Sequence, residues 1–220
     1  MKRNDEQNPM NRIRWKKSDG KKLFIYRPED DIKNAKFYVE KALDCDNRDS
    51  LAHEMLARIY SLSKNHDQAV EAAKKAIECN VNSSSAYMFY ASALTFANRC
   101  EEALEPIDQA IKLSPRDPRT FNFLMNKAMI VGEMGDLKLS VDLARKAVAI
   151  PQGDFRPALI LAIYCAKSGL LDEAQKAIER VLEIIPNFTL TKLKENFFSH
   201  FETKLLDNYV LNLSKLDVPK

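Results

Sequence analysis

Histidines, cysteines and paired acids are the residues of this sequence that can carry chemistry, and their spacing assembles no reactive set. The 220 residues include three histidines, His53, His66 and His200, which lie far apart along the chain. A catalytic site needs a nucleophile beside a base, two carboxylates in one cleft, or metal ligands. The adjacent acids Glu101 and Glu102 instead suit the first turn of a helix, where the helix dipole favours carboxylates. We therefore expect a non-enzymatic protein without catalytic residues.

The cysteines and glycines argue against a metal or cofactor site. Cys45, Cys79, Cys100 and Cys165 lack the short paired spacing of a zinc site. Free cysteine packs as a small apolar side chain. Five glycines in the whole chain leave no glycine-rich phosphate loop. The sequence predicts no metal and no cofactor.

The apolar segments and the thiols indicate the compartment that we expect. The N-terminus MKRNDEQNP is polar, unlike the apolar core of a signal peptide. The longest apolar run, residues 157–166, is about half of what a membrane-spanning helix needs. Cysteines without paired spacing read as reduced thiols. We expect a cytoplasmic protein with no membrane span.

Positive charge is concentrated at the N-terminus. Residues 1–22 carry eight lysines and arginines against three acids, so this arm is +5 while the whole chain is +3. A basic arm with Trp15 can contact nucleic acid or an anionic surface. A single aromatic residue offers little surface on which bases could stack, however. We therefore favour a solvated arm and do not expect a nucleic-acid partner. The Asp19-Gly20 pair is a turn signal that could make a small hairpin, but we favour a flexible arm that leads into a short helix.

The rest of the chain repeats itself with a period of about 34 residues. The segments AKFYVEKAL, AVEAAKKAI, ALEPIDQAI, SVDLARKAV and AQKAIERVL begin at Ala35, Ala69, Ala103, Ser140 and Ala174, spaced by 34, 34, 37 and 34 residues. From the second copy on, each follows a segment whose apolar residues recur on one helical face. Asn98, Gly135 and Gly169 stand at one equivalent place between the two segments and tolerate the left-handed backbone that ends a helix. Each unit is therefore predicted to be a helix hairpin.

This pattern resembles that of the tetratricopeptide repeat family. The small residues that let two helices of a hairpin approach closely are Ala57, Ala91, Ala128 and Ala162 on the first helix and Ala69, Ala103 and Ala174 on the second. Ala42, Ala76, Ala110 and Ala147 are expected to let the next hairpin dock. The resemblance implies an all-α solenoid of antiparallel helix pairs in a right-handed superhelix.

The repeat divides the chain into predicted segments. These are a basic arm over 1–22, a partial first repeat over 23–49, repeats over 50–83, 84–117, 118–154 (with a three-residue insertion) and 155–188, and C-terminal capping helices over 189–220. Gly20 and Pro28 are expected to leave the first helix of the first unit short or absent. A solenoid needs caps because its end face is otherwise apolar and exposed.

The stretch KLSPRDPRT, residues 112–120, marks the joint at which the spacing lengthens. Pro115 is expected to end the helix near Leu113. Asp117 and Pro118 are expected to provide the cap and the first-turn proline of the next helix. The three extra residues predict a longer helix start or an irregular step in the superhelix.

The tail LLDNYVLNLSKLDVP is similar to the C-terminal ends of tetratricopeptide regions found behind bacterial class III nucleotide cyclases and in some winged-helix regulators. The match extends upstream through PNFTLTKLKENF, SPRDPRTF and RPEDDIKNA. This resemblance implies a second hypothesis, a regulatory module related to a cyclase or a transcription regulator.

The leading hypothesis is a scaffold that binds a protein or peptide partner on its concave side. In the family this side is lined by the first helices, through residues opposite the face that packs within each hairpin. Here the predicted groove residues are Arg58, Met88, Ser92, Phe96, Asn122, Met125, Met129, Arg156, Leu159 and Ile163. Methionines adapt to varied apolar partners, whereas the scattered Arg and Asn argue against a clamp for C-terminal carboxylates. Coverage by neighbouring helices or by the arm is the alternative, and homo-oligomerisation through the solenoid ends stays open.

Overall fold

The computed structural model describes residues 14–18, 21–25, 28–117, 119–151, 154–198 and 200–219. Helix α1 spans Pro28–Cys45 and is followed by helix pairs with short turns. The pairs are α2 (Ser50–Leu62) with α3 (His66–Cys79), α4 (Ser84–Phe96) with α5 (Cys100–Leu113), α6 (Thr120–Glu133) with α7 (Leu137–Ala149), and α8 (Arg156–Lys167) with α9 (Leu171–Ile184). Each helix contacts the next, so the chain is an all-α solenoid of antiparallel hairpins.

Side-chain caps begin several of these helices. The Asp49 carboxylate accepts a hydrogen bond from the Ala52 N–H at 3.1 Å at the start of α2, and Ser83 Oγ accepts one from the Ala86 N–H at 3.2 Å at the start of α4. Both satisfy an N–H that has no partner within its helix. The turns inside the pairs use left-handed residues: Lys64, Asn98, Gly135 and Gly169. The sequence pattern predicts three of these positions and misses Lys64.

Small residues bring the paired helices together. Ala57, Ala91, Ala128 and Ala162 on the first helices and Ala69, Ala103 and Ala174 on the second are all buried. Of the four alanines predicted to dock the next hairpin, Ala76, Ala110 and Ala147 are buried. Ala42 is exposed instead, so the expectation for this residue is wrong. The reason is that α1 has no first helix beside it in the described part of the chain.

The extra residues of the 37-residue spacing are divided between a loop and a helix. The joint between α5 and α6 spans residues 114–119, whereas the joints before α2 and α4 span 46–49 and 80–83. Helix α6 has 14 residues and α4 has 13. Asp117 does not cap the helix: its Oδ1 accepts the Arg119 N–H at 2.7 Å, and Arg119 precedes the helix. Pro118 lies outside the described residues.

Two short strands precede α1. Strands β1 (Arg14–Ser18) and β2 (Lys21–Ile25) pair antiparallel, with Ser18 opposite Lys21. This arrangement corresponds to the hairpin alternative for the arm, whose turn pair at 19–20 lies outside the described residues. Residues 1–13, most of the predicted basic arm, also lie outside them.

The C-terminal segment turns back onto the solenoid. It consists of a short helix α10 (Leu190–Lys192), a π-helical turn (Leu193–Phe197) and helix α11 (Thr203–Leu213). Helix α11 packs against α8, and its residues Leu205, Tyr209 and Leu213 are buried in one apolar cluster with α6, α8 and α9. The predicted segment 189–220 therefore packs on the last complete pair through α8 and extends over the concave side of the solenoid, and its role as a cap stays a prediction.

Candidate partner-binding groove

The first helices of successive pairs lie side by side and form the concave surface. Helix α4 contacts both α2 and α6, and α6 contacts α8. Residues facing away from the second helices of these pairs therefore point toward one shared groove. The groove narrows to a cavity of about 240 Å³ between α2, α4, α6, α8 and the C-terminal segment.

Eight of the ten predicted groove residues line this cavity. They are Arg58, Met88, Ser92, Phe96, Asn122, Met125, Met129 and Arg156. Sequence reasoning missed the other side of the cavity, which the C-terminal segment supplies through Phe197, Phe198, His200 and Phe201, referred to below as the aromatic wall. The repeat period could not locate these residues, because they follow the last repeat.

Two predicted groove residues do not reach the cavity. Leu159 and Ile163 on α8 are fully buried, in the same apolar cluster as α11. Met125 and Met129 do line the cavity but are only 7% and 2% exposed. Helical periodicity identifies the face of a first helix that points away from its hairpin partner. It cannot predict whether a later segment of the chain packs on that face. Among the described residues, the C-terminal segment packs on α8 through α11, and the neighbouring helix α6 also contacts α8.

The aromatic wall is fixed to α4. The Phe201 ring stacks on Phe96 at 4.6 Å and on Phe198 at 4.4 Å between centroids. The Glu202 N–H donates a hydrogen bond to the Phe96 carbonyl at 3.2 Å, next to the cavity. The His200 ring lies edge-on to Phe96 at 4.8 Å. Stacked and edge-on rings together hold the wall in one position.

A polar chain orients the opposite side of the cavity. Ser92 Oγ donates to Asn126 Oδ1 at 2.8 Å, which links α4 to α6. Asn126 Nδ2 donates to the Asn122 carbonyl at 2.8 Å, and Arg156 Nη2 on α8 donates to Asn122 Oδ1 at 3.2 Å. Arg156 is in turn held by the Asp154 carboxylate, with Nε 2.8 Å from Oδ2. The first helices α4, α6 and α8 are thus joined by side chains within the groove itself.

Comparisons with known proteins agree with this architecture. Residues 29–111 match the family model described as anaphase-promoting complex, cyclosome, subunit 3. The type IV pilus biogenesis factor PilW superposes with a TM-score of 0.66 at 21% identity, over 84% of this chain and 86% of PilW. TTC0263, a thermophilic tetratricopeptide protein of Thermus thermophilus, superposes with a TM-score of 0.65 at 19% identity, over 84% and 92% of the two chains.

The chain is a tetratricopeptide-type solenoid. YrrB, described as a tetratricopeptide protein with an unusual peptide-binding site, also superposes, with a TM-score of 0.52 at 17% identity over 80% of this chain and 92% of YrrB. At these identities the solved structures show the fold alone. No curated protein matches the chain in sequence. The similarity of the tail to cyclase and winged-helix regulator regions stays a prediction.

The cavity of this tetratricopeptide solenoid contains cationic side chains, one of which pairs with a carboxylate that is not among the lining residues. Its described lining residues include Arg58 and Arg156 and no carboxylate. His200 stays neutral there, because burial first, and then repulsion by positive charge on His66, Arg58 and Arg156, lower its pKa to about 3. Arg58 and Arg156 are therefore the charged lining residues at neutral pH, and Arg156 is paired with Asp154.

Of the other residues predicted to be structural, His53, Cys100 and Cys165 are buried, Cys79 and His66 are half-buried, and Cys45 is exposed. Burial raises the pKa of Cys100 to about 11 and that of Cys165 to about 12, so both thiols are protonated at neutral pH. His53 is buried, with Nε2 2.9 Å from the Asn47 carbonyl, and burial lowers the pKa of His66. No cluster of potential metal ligands occurs among the described residues. None of the helices described is long and apolar enough to cross a bilayer.

Proposed function

We propose that this chain is a non-enzymatic interaction scaffold that binds a segment of a partner protein, a peptide or a helix, in its concave groove. The observation that carries the proposal is the cavity of about 240 Å³, where half-buried Met88 and Phe96 meet the aromatic wall. Pockets for drug-sized ligands range over ~300–1,000 Å³, so this one better fits a side chain of a longer segment.

The chemistry of the lining favours a particular kind of segment. Methionine and aromatic side chains accept an apolar anchor of variable shape. Arg58 and Arg156 are the cations among the described lining residues, and an acidic residue beside that anchor would share Arg156 with the Asp154 carboxylate that already pairs with it. YrrB is described as having an unusual peptide-binding site, which supports this use of the fold.

A peptide selection tests the proposal. Peptides selected from a random display library on the wild-type chain should bind the variant Met88→Glu at least about tenfold more weakly, because the new carboxylate fills the apolar cavity and the anchor is lost. Met88 is half-buried, so the unfolding midpoint should change little. Met125 and Met129 are unsuitable for this test, because buried glutamates there would unfold the chain.

The matched control is Met134→Glu. Met134 is 46% exposed at the end of α6 and is not among the residues that line the cavity. This variant should bind the selected peptides as the wild type does. Equal binding by Met88→Glu, or a selection that enriches no peptide, would refute the groove as the binding site.

A further inference from the structure

The outer face of α1 lacks the neighbour that its position in the repeat calls for. Helix α1 aligns with the second helices α3, α5, α7 and α9 of the complete pairs. Like α3, α5 and α7, it contacts the first helix of the following unit. In the complete pairs the other side of the second helix packs on its own first helix. In the described residues before α1 there are only strands β1 and β2.

Exposure along α1 shows where this neighbour is missing. Tyr38 is 64% exposed, and Ala42, one turn later, is also exposed. Their counterparts in the complete pairs are all buried: Ala72, Pro106, Leu143 and Ala177 for Tyr38, and Ala76, Ala110, Ala147 and Val181 for Ala42. In the pair α2–α3, Ala72 lies in one apolar cluster with Ala57 of the first helix. The repeat therefore has a helix packed over this face wherever the pair is complete.

The residue types on this face differ from those of the other units. Phe37 is 51% exposed, and its counterparts Glu71, Glu105, Asp142 and Lys176 are all charged. The Phe37 and Tyr38 rings lie edge-on at 5.5 Å, and Lys41 Nζ lies 4.6 Å from the Phe37 centroid. The other units have a charged residue at the position of Phe37 and a buried uncharged residue at that of Tyr38, so an exposed aromatic pair here indicates an interface.

We infer that this face, formed by Asn34, Phe37, Tyr38, Lys41, Ala42 and Cys45, pairs with the same face of a second copy, with the two α1 helices antiparallel. This self-association goes beyond the proposed function and involves a different surface. A two-fold axis between residues 39 and 40 makes the contacts self-complementary, as an isologous interface requires.

Size and charge both fit this register. Phe37 lies opposite Ala42 of the second copy, so a large ring meets the smallest side chain of the face. Tyr38 lies opposite Lys41, whose ammonium already lies over an aromatic ring within its own helix. Lys33 lies opposite Asp46, which follows α1 directly with its N–H bonded to the Ala42 carbonyl at 2.9 Å. Any other antiparallel register loses at least one of these pairings.

Cross-linking tests the register directly. Asn34 lies opposite Cys45 of the second copy, and Cys45 is exposed. The variant Asn34→Cys, treated with a short bis-maleimide, should give a species of twice the chain mass. Wild-type chain should give much less, because two Cys45 residues lie eleven helical residues, about 16 Å, apart in this register. Glu71→Cys, at the counterpart of Phe37 on α3, should behave like wild type.

Sedimentation tests the association itself. Wild-type chain should form dimers whose fraction rises with concentration. Tyr38→Glu should raise the dissociation constant of the dimer by about tenfold or more, and its melting curve measured by circular dichroism should match that of the wild type. Three outcomes would overturn the inference. They are a wild-type monomer up to millimolar concentration, dimers that Tyr38→Glu does not weaken, and a monomer whose Cys45 resists thiol labelling because its own residues 1–13 cover the face.

Discussion

Gly132 shows how one residue sets the approach of two helices. A Cβ atom at this position would lie 2.3 Å from Tyr164 Cε1 and 2.7 Å from Ser140 Oγ. We expect Gly132→Ala to lower the free energy of unfolding by about 1–3 kcal/mol, because the buried ring of Tyr164 cannot move away. Urea unfolding measures this change. Lys138→Ala, at an exposed helical position, is the control, and a stability equal to wild type would contradict the expected clash.

His200 makes the stability of the molecule depend on pH. Its pKa is lowered to about 3 in the folded chain, from an ordinary value of 6.5, mainly by burial. The unfolded chain therefore binds a proton that the folded chain does not, and stability falls as pH drops below 6.5 toward 3. We expect a loss of about 1 kcal/mol per pH unit in this window, with urea unfolding at about pH 7 and about pH 5 as the measurement.

The control for this pH dependence is His200→Gln. Glutamine has no titrating group, so the variant should lose less stability than wild type between the same two pH values. Carboxylates titrate in both proteins, and only the difference between the two slopes reports on His200. If the free energy of unfolding changed equally with pH in both proteins, the His200 imidazole would be protonated in the folded chain.

At the scale of elements, helices α6, α8 and α11 meet at one buried hydroxyl. Tyr164 Oη is 2.8 Å from Tyr209 Oη, and its single proton has two acceptors within reach, the Met129 carbonyl at 3.1 Å and Glu133 Oε1 at 3.0 Å. Burial raises the pKa of both tyrosines, so both hydroxyls keep their protons. The bond between Tyr164 and Tyr209 fixes the C-terminal helix to the last complete pair.

The two tyrosines should differ in what they contribute. Tyr209→Phe removes one bond and leaves Tyr164 with its other acceptors, so we expect a loss of about 1 kcal/mol. Tyr164→Phe leaves the Tyr209 hydroxyl without this partner and costs about 2–3 kcal/mol. Guanidinium unfolding of both variants measures the difference. Equal losses would mean that Tyr209 finds another partner in the fold.

The sequence predicts the helix pairs well because the signals that specify them lie in residues close together in the chain. Apolar periodicity, alanines at the close contacts and turn residues such as Asn98 and Gly135 are all read from residues near one another in the chain. The same reasoning places Met88 and Phe96 on the groove. It fails at Leu159 and Ile163, because an amphipathic C-terminal segment reveals its own apolar face but not the surface that this face covers.

At the scale of the whole molecule, the apolar core is distributed unevenly along the solenoid. The largest cluster joins α6, α7, α8 and α9 to the C-terminal segment and includes Phe188, Phe198 and Tyr209. The cluster between α2 and α3 contains only Ala57, Ala72 and Ala73 as buried members. Repeat proteins are stabilised by each unit and its neighbours, so the two ends of this solenoid differ in stability.

Hydrogen exchange should therefore begin at the N-terminal end. At low protein concentration we expect amides of α1 and α2 to exchange well before those of α8 and α9, because opening the first end exposes little apolar surface. At high concentration, pairing of α1 faces should slow exchange in α1, and Tyr38→Glu should abolish that protection. Uniform exchange along the chain would instead indicate one cooperative unit, in which the C-terminal segment, attached to α4 through Phe96, couples both ends.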